Sequence, residues 1–141
     1  QDGIISLIKI NNMKNLIALI AIFAVILLFP QKRNVPDLSE VKNINAGGCG
    51  YFAKYYHQRY PNSQIINFYR TGYSKVHYMV FFPITGEYVD CEGCTKYPRW
   101  LIFKQRTVSA EFLDSALNTK GWRKDFNKAD TTIIRNKIFA Q

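Results

Sequence analysis

Most of the fold can be predicted from two stretches, G-G-C-G-Y-F-A-K-Y-Y-H-Q-R-Y at residues 47–60 and K-V-H-Y-M-V-F-F-P-I-T-G-E-Y-V-D at residues 75–90. In the first, apolar residues recur at helical spacing until Pro61, which predicts a helix over residues 49–60. In the second, two strand-like runs flank the turn sequence P-I-T-G, which predicts an antiparallel hairpin.

The elements around these two stretches complete a mixed fold. A strand is predicted at 64–70, a strand or buried turn at 99–104, a helix capped by Ser109 at 110–118, and a last helix from Asp130 to Phe139. A helix, three strands and then helices predict an α+β class, with the Cys-bearing helix packed on a small antiparallel sheet.

Cys49 is the candidate nucleophile. It lies at the start of the predicted helix, where unpaired N–H groups and the helix dipole stabilise a thiolate. The glycines beside it allow close approach of a substrate backbone, and the Cys49 N–H can donate to an oxyanion. His57 is excluded as its base because eight residues along one helix separate the side chains by a rise of about 12 Å.

His77 is the remaining candidate base, and Asp90 is the candidate orienting group. If Pro83 to Gly86 form a four-residue loop, Phe82 faces Glu87, and His77 and Asp90 become diagonal neighbours on one face of the hairpin. Cys49, His77 and Asp90 then form a possible catalytic triad in that chain order.

Three segments together resemble the papain-like cysteine peptidase and transglutaminase-like superfamily: G-G-C-G-Y-F-A at residues 47–53, H-Y-M-V at 77–80, and G-E-Y-V-D at 86–90. They are also similar to the double-glycine leader peptidases. The resemblance implies a papain-like or transglutaminase-like core and thiol chemistry on amide bonds. Asn43 stands at the offset of the superfamily's oxyanion glutamine, six residues before Cys49, and Asn45 is a second amide nearby, so both are weak oxyanion candidates.

The N-terminal part contains fourteen apolar residues, L-I-A-L-I-A-I-F-A-V-I-L-L-F at positions 16–29. Because crossing a bilayer takes about 20 such residues, three interpretations are open: an uncleaved signal-anchor, a cleaved signal, or a buried hydrophobic helix. The signal-anchor is favoured because the end of the run lacks small residues for cleavage. The sequence therefore predicts a membrane-anchored or exported chain, on an unspecified side of the membrane.

Three parts are predicted along the chain: an N-terminal extension with the hydrophobic transmembrane helix at 1–30, a tether at 31–43, and a folded domain with basic C-terminal helices at 44–141. A content of 48% hydrophobic residues in 141 residues fits one compact domain and excludes a disordered chain.

The net charge of +9 lies mostly outside the candidate site. Residues 95–141 carry ten Lys and Arg against four Asp and Glu, whereas residues 61–94 carry two against three. The charge therefore does not predict nucleic-acid binding, which stays a weaker alternative supported by tyrosines close to arginines.

Cys91 and Cys94 form a C-x-x-C motif with several interpretations. Free thiols are the default, and a local disulfide, a redox pair, or a zinc site completed by Cys49 and His77 are the alternatives. No cofactor or metal is expected.

The functional prediction is a thiol hydrolase or acyltransferase, of the cysteine peptidase type, that acts on peptide or protein substrates through Cys49, His77 and Asp90. The alternative is a non-catalytic, membrane-tethered interaction module with the same fold.

Overall fold

The computed structural model describes residues 15–18, 33–41, 44, 47–72, 77–119 and 128–141. The chain divides into two compact units, Gln1–Lys32 and Arg33–Gln141. In the first unit, residues 15–18 are described, and they are helical and exposed. The second unit contains the sheet and the helices that surround the candidate site.

The regular elements of the second unit follow the chain in a simple order. They are α1 (Gly48–Arg59), β1 (Gln64–Tyr69), β2 (His77–Phe82), β3 (Glu87–Asp90), β4 (Gly93–Thr95), a 3-10 turn (Arg99–Ile102), β5 (Lys104–Val108), α2 (Ala110–Leu117) and α3 (Lys128–Phe139). Ser109 caps α2 by accepting a hydrogen bond from the Phe112 N–H at 3.1 Å. Asp130 lies inside the first turn of α3, not at its cap.

The described strands form one antiparallel sheet in the order β4-β3-β2-β1-β5. The central hairpin closes through Pro83 to Gly86, where Gly86 adopts a φ of 69°, a conformation that suits glycine. Its register pairs Phe82 with Glu87, as the four-residue loop predicts.

Alternation along β2 divides the core between the two faces of the sheet. Tyr78, Val80 and Phe82 face α1 in the larger cluster, which also receives buried residues from α2 and α3. Met79 faces the other way and packs in a smaller cluster beneath the 3-10 turn. The helices therefore cover one face of the sheet, and the chain from β4 to β5 covers part of the other.

Residues 33–41 pack on the domain. The Arg33 guanidinium lies 3.2 Å from the centroid of the Phe82 ring and 3.4 Å from the Glu87 carboxylate. Leu38 and Val41 are buried in the larger cluster, and the Tyr56 hydroxyl donates to the Asn34 carbonyl at 3.2 Å. This segment therefore contributes to the core beside α1.

The prediction of a papain-like or transglutaminase-like core behind a hydrophobic helix is wrong. The domain is a small α+β fold with a five-stranded antiparallel sheet, whose two edge strands, β4 and β5, are absent from the predicted elements. The all-exposed beginning of β5 explains part of this difference, because its sequence carries no apolar alternation.

The predicted membrane anchoring is also contradicted. Among the described residues, no helix is long and apolar enough to cross a membrane. The apolar run of residues 16–29 is itself shorter than the about 20 residues that a span requires, and its part from residue 19 onward lies outside the described residues.

Candidate functional site

His77 and Asp90 form a buried hydrogen-bonded pair. The Nε2 of His77 lies 2.9 Å from the Oδ2 of Asp90, and the two residues are 5% and 4% exposed. The pairing of Phe82 with Glu87 extends along the hairpin, so that alternation brings both side chains to one face.

The second carboxylate oxygen of Asp90 is also bound. Its Oδ1 accepts a hydrogen bond from the Glu92 N–H at 2.8 Å, within the turn that joins β3 to β4. Gly93 enables this turn with a φ of 145°, which side-chain-bearing residues rarely adopt. Asp90 is thus held from both sides and presents a fixed carboxylate to His77.

Cys49 lies in the first turn of α1 and is only 1% exposed. Gly47 precedes the helix with a φ of 152° and offers no side chain to cap it. The first N–H groups of α1 consequently receive no side-chain cap from the described residues, which leaves the positive end of the helix dipole directed at the region of the thiol.

The pKa of His77 depends on its burial and on two neighbours, Asp90 and Cys49. Burial disfavours the imidazolium, but the hydrogen bond to Asp90 and the interactions with the Cys49 thiol outweigh it and raise the pKa of His77 to about 9. The imidazole is therefore mostly protonated at neutral pH. Cys49, His77 and Asp90 are three buried residues, called the cluster from here on, in which His77 is hydrogen-bonded to Asp90 and has a pKa that responds to Cys49.

Trp100 is a member of this cluster that the sequence analysis does not identify. Its ring stacks on His77 with centroids 4.1 Å apart and planes 14° apart. The 3-10 turn that carries Trp100 follows β4, so the ring covers the imidazole from the side of the smaller core cluster. The only sequence signal for it is the short apolar run at residues 99–104.

A cavity of about 140 Å³ opens next to the pair. Met79, Pro98 and Trp100 give it apolar walls, and Asp90 lies at its polar side. The cavity therefore adjoins the carboxylate of the cluster.

His57 lies at the other end of α1. Its Nδ1 is 3.0 Å from the Ser63 hydroxyl oxygen, and that hydroxyl donates to the Tyr60 carbonyl at 2.6 Å. These contacts bind the end of the helix to the chain that leads into β1, which is a structural arrangement.

The C-x-x-C motif forms the turn between β3 and β4. Cys49, Cys91 and Cys94 are all free thiols, and Cys91 and Glu92 occupy the turn. Burial, followed by the charges of Asp90 and the Cys49 thiol, raises the pKa of Cys91 to about 12. In the described part of the chain, no three His, Cys, Asp or Glu side chains are arranged to hold a metal ion.

The two oxyanion candidates, Asn43 and Asn45, lie outside the described residues. Their proposed role stays a prediction from the sequence.

The fold and the cluster define a small α+β protein with a buried thiol, imidazole and carboxylate. The chain matches the family model described as Phage YunG-like protein over residues 31–135, and it belongs to that family. Among curated proteins and among solved structures, none matches the chain.

This membership corrects the resemblance drawn from the motifs. The family is not a papain-like or transglutaminase-like peptidase family, so the assignment to those superfamilies and the label cysteine peptidase are wrong. The physical reason is that a cysteine at a helix start and a His–Asp pair on a hairpin are local arrangements that different folds can share.

Proposed function

We propose that this protein is a thiol hydrolase or acyltransferase that acts on amide bonds of a peptide or protein substrate. The observation that carries the proposal is the buried His77–Asp90 hydrogen bond of 2.9 Å beside Cys49, at the uncapped start of a helix. A nucleophile, a proton carrier and an orienting carboxylate in this order are what thiol acyl transfer requires.

In the proposed reaction, His77 takes the thiol proton of Cys49, and the imidazolium is stabilised by Asp90. The thiolate sulfur bonds to the amide carbonyl carbon, and the oxyanion is bound by N–H groups of the first turn of α1. The C–N bond then breaks as His77 returns its proton to the leaving amine. Water or a second amine cleaves the resulting thioester and regenerates the thiol.

The raised pKa of His77 supports its role as the acid in the second half of the reaction, whereas it takes the thiol proton in its neutral form, whose share rises as the pH approaches 9. An imidazole with a pKa of about 9 is protonated at neutral pH, so it is ready to act as the acid for the leaving amine.

A second candidate is a non-catalytic interaction module, and the burial of the cluster favours it. Cys49 is 1% exposed, so a substrate reaches its sulfur only after a local opening of the domain. In this alternative Cys49 is a small core residue and the His77–Asp90 pair stabilises the hairpin.

Competitive labelling of the three cysteines distinguishes the two candidates. Under limiting iodoacetamide at pH 7, the enzyme proposal expects Cys49 to be modified before the exposed Cys94, and expects this order to reverse in His77→Ala. Mapping by peptide mass spectrometry gives the order directly. If wild-type Cys49 is the last of the three to react, the core-residue alternative is correct.

A further inference from the structure

The side chain of Asn67 is a buried polar group without a complete set of partners. Asn67 lies in the middle of β1 and is 2% exposed. Its Oδ1 has no hydrogen-bond donor in the described part of the chain. Because leaving a buried acceptor unsatisfied costs free energy, such a group is expected to bind a donor from outside the chain, which is a water molecule or a ligand.

Asn67 lies on the sheet face that carries the helices. It is directly opposite Tyr78 in the β1–β2 register, and directly opposite residues of an antiparallel pair share a face. Tyr78 belongs to the larger core cluster together with Cys49. Asn67 therefore faces the layer that contains α1.

Along the axis of α1, Asn67 lies beside the first turn, which carries Cys49. The rings of Tyr56 and Tyr60, near the end of α1, pack against Phe82 at the end of β2. The start of α1 accordingly lies over the start of β2. Burial, followed by the interaction with Cys49, raises the pKa of Tyr78, which agrees with Cys49 being near the start of β2. Asn67, opposite Tyr78, is at the level of Cys49.

The residue opposite Asn67 on β5 does not donate a hydrogen bond to the Asn67 Oδ1. Arg106 of β5 is directly opposite Asn67, but its guanidinium lies over the rings of Tyr69 and Phe112, at 5.3 and 4.8 Å from their centroids. The strongest donor beside Asn67 is thus engaged with aromatic rings instead of the amide oxygen.

We propose that Asn67 is a substrate-binding residue of the Cys49 site, and that its Oδ1 accepts a hydrogen bond from an N–H of the bound substrate. This inference rests on the proposed thiol chemistry. An unsatisfied acceptor selects a ligand that carries a donor, so the site discriminates amides that bear an N–H from esters and from fully substituted amides.

Two alkylating probes that differ at the amide nitrogen, NH₂ in one and N(CH₃)₂ in the other, test the inference, and the Asn67 variant controls for the bulk of the two methyl groups. They are 2-chloroacetamide and 2-chloro-N,N-dimethylacetamide; in both cases the Cys49 sulfur bonds to the CH₂ carbon and chloride leaves. The ratio of their rate constants with Cys49 is divided by the same ratio with glutathione, which removes their intrinsic difference in reactivity. The variants are Asn67→Leu, of similar volume without the acceptor, and Ile65→Val as a control on the same strand and face.

In wild type and in Ile65→Val, the normalised ratio is expected to favour the N–H probe by about tenfold, the worth of one buried hydrogen bond. In Asn67→Leu it is expected to fall to about one, while the melting temperature rises by about 4 °C because the unsatisfied acceptor is gone. A wild-type ratio near one overturns the inference even if the variant does not fold.

The same data distinguish a failure of the role of Asn67 from a failure of the proposed Cys49 thiol chemistry. If Cys49 reacts faster than Cys94 and depends on His77, but shows no preference between the probes, only the role of Asn67 is wrong. If Cys49 reacts with neither probe ahead of Cys94, the thiol chemistry itself is wrong.

Discussion

At the scale of single residues, the pair formed by His77 and Asp90 dominates the electrostatics of the site. Both side chains are almost fully buried, and the carboxylate is bound at both oxygens. A charge-assisted hydrogen bond in such a place is stronger than one at the surface, because water does not screen it.

Removing the carboxylate charge should therefore lower the pKa of His77. In Asp90→Asn we expect a decrease of about one unit or more from its value of about 9, since the hydrogen bond that opposes burial becomes neutral. Titration of the imidazole by NMR measures the change. Glu92→Gln is the matched control, because the Glu92 backbone N–H still binds Asp90 while only the exposed ion pair with Arg99 is lost. An unchanged titration in Asp90→Asn would contradict the assigned pairing.

The sequence predicts this pair better than it predicts the other neighbours of the site. The proximity of His77 to Asp90 follows from a four-residue turn and the period of two along strands, both of which are local. The contact of Trp100 with His77 and the position of Asn67 depend on how distant segments cross the sheet. No local pattern encodes that path, so neither residue emerges from sequence reasoning.

At the scale of elements, the chain between β4 and β5 does more than connect two strands. It places Trp100 on His77 and directs Tyr97 and Ile102 outward, where they are 84% and 85% exposed. Its inner residues help to bury the second face of the sheet.

Truncating Trp100 should destabilise the domain. We expect Trp100→Ala to lower the free energy of unfolding by about 2 kcal/mol, because it removes ring contacts with both His77 and the smaller core cluster. Trp100→Phe should recover most of this loss. Tyr97→Ala, in the same segment but exposed, should change the stability by less than about 0.5 kcal/mol. Urea denaturation measures all three, and equal effects of Trp100→Ala and Tyr97→Ala would show that the stacking contributes nothing.

The central elements are predictable from sequence because periodicity and turn residues coincide. Helix α1 and strands β1 to β3 begin and end within two residues of their predicted bounds. Strand β4 has three residues, too few for a pattern, and β5 begins with four exposed residues whose strand conformation is imposed by pairing with β1. Edge strands of this kind are determined by their neighbours instead of their own sequence.

At the scale of the whole molecule, the raised pKa of His77 links folding to pH. The folded pKa of about 9 exceeds the ordinary value of 6.5, so the folded state binds the proton more tightly than the unfolded state. The resulting stabilisation is fully present below pH 6.5 and is lost as the pH rises through 9.

Between pH 6.5 and 8.5 we expect the free energy of unfolding to fall by about 2 kcal/mol. Denaturant titrations at several pH values measure the slope, and His77→Gln should remove it. Stability that increases over this interval in wild type, or a slope that His77→Gln leaves intact, would mean that His77 does not carry the raised pKa.

The claim that His77 activates Cys49 is tested by measuring how the reactivity of Cys49 varies with pH. The measurement is the rate constant for alkylation of Cys49 by iodoacetamide from pH 5.5 to 9, in a Cys91→Ser/Cys94→Ser background with either His77 or Gln at position 77. We expect alkylation to be about tenfold or more faster with His77 than with Gln at pH 8.5, where part of the imidazole is neutral and can take the thiol proton. Equal rates for the two proteins at pH 8.5 would contradict the claim that Cys49 and His77 act together.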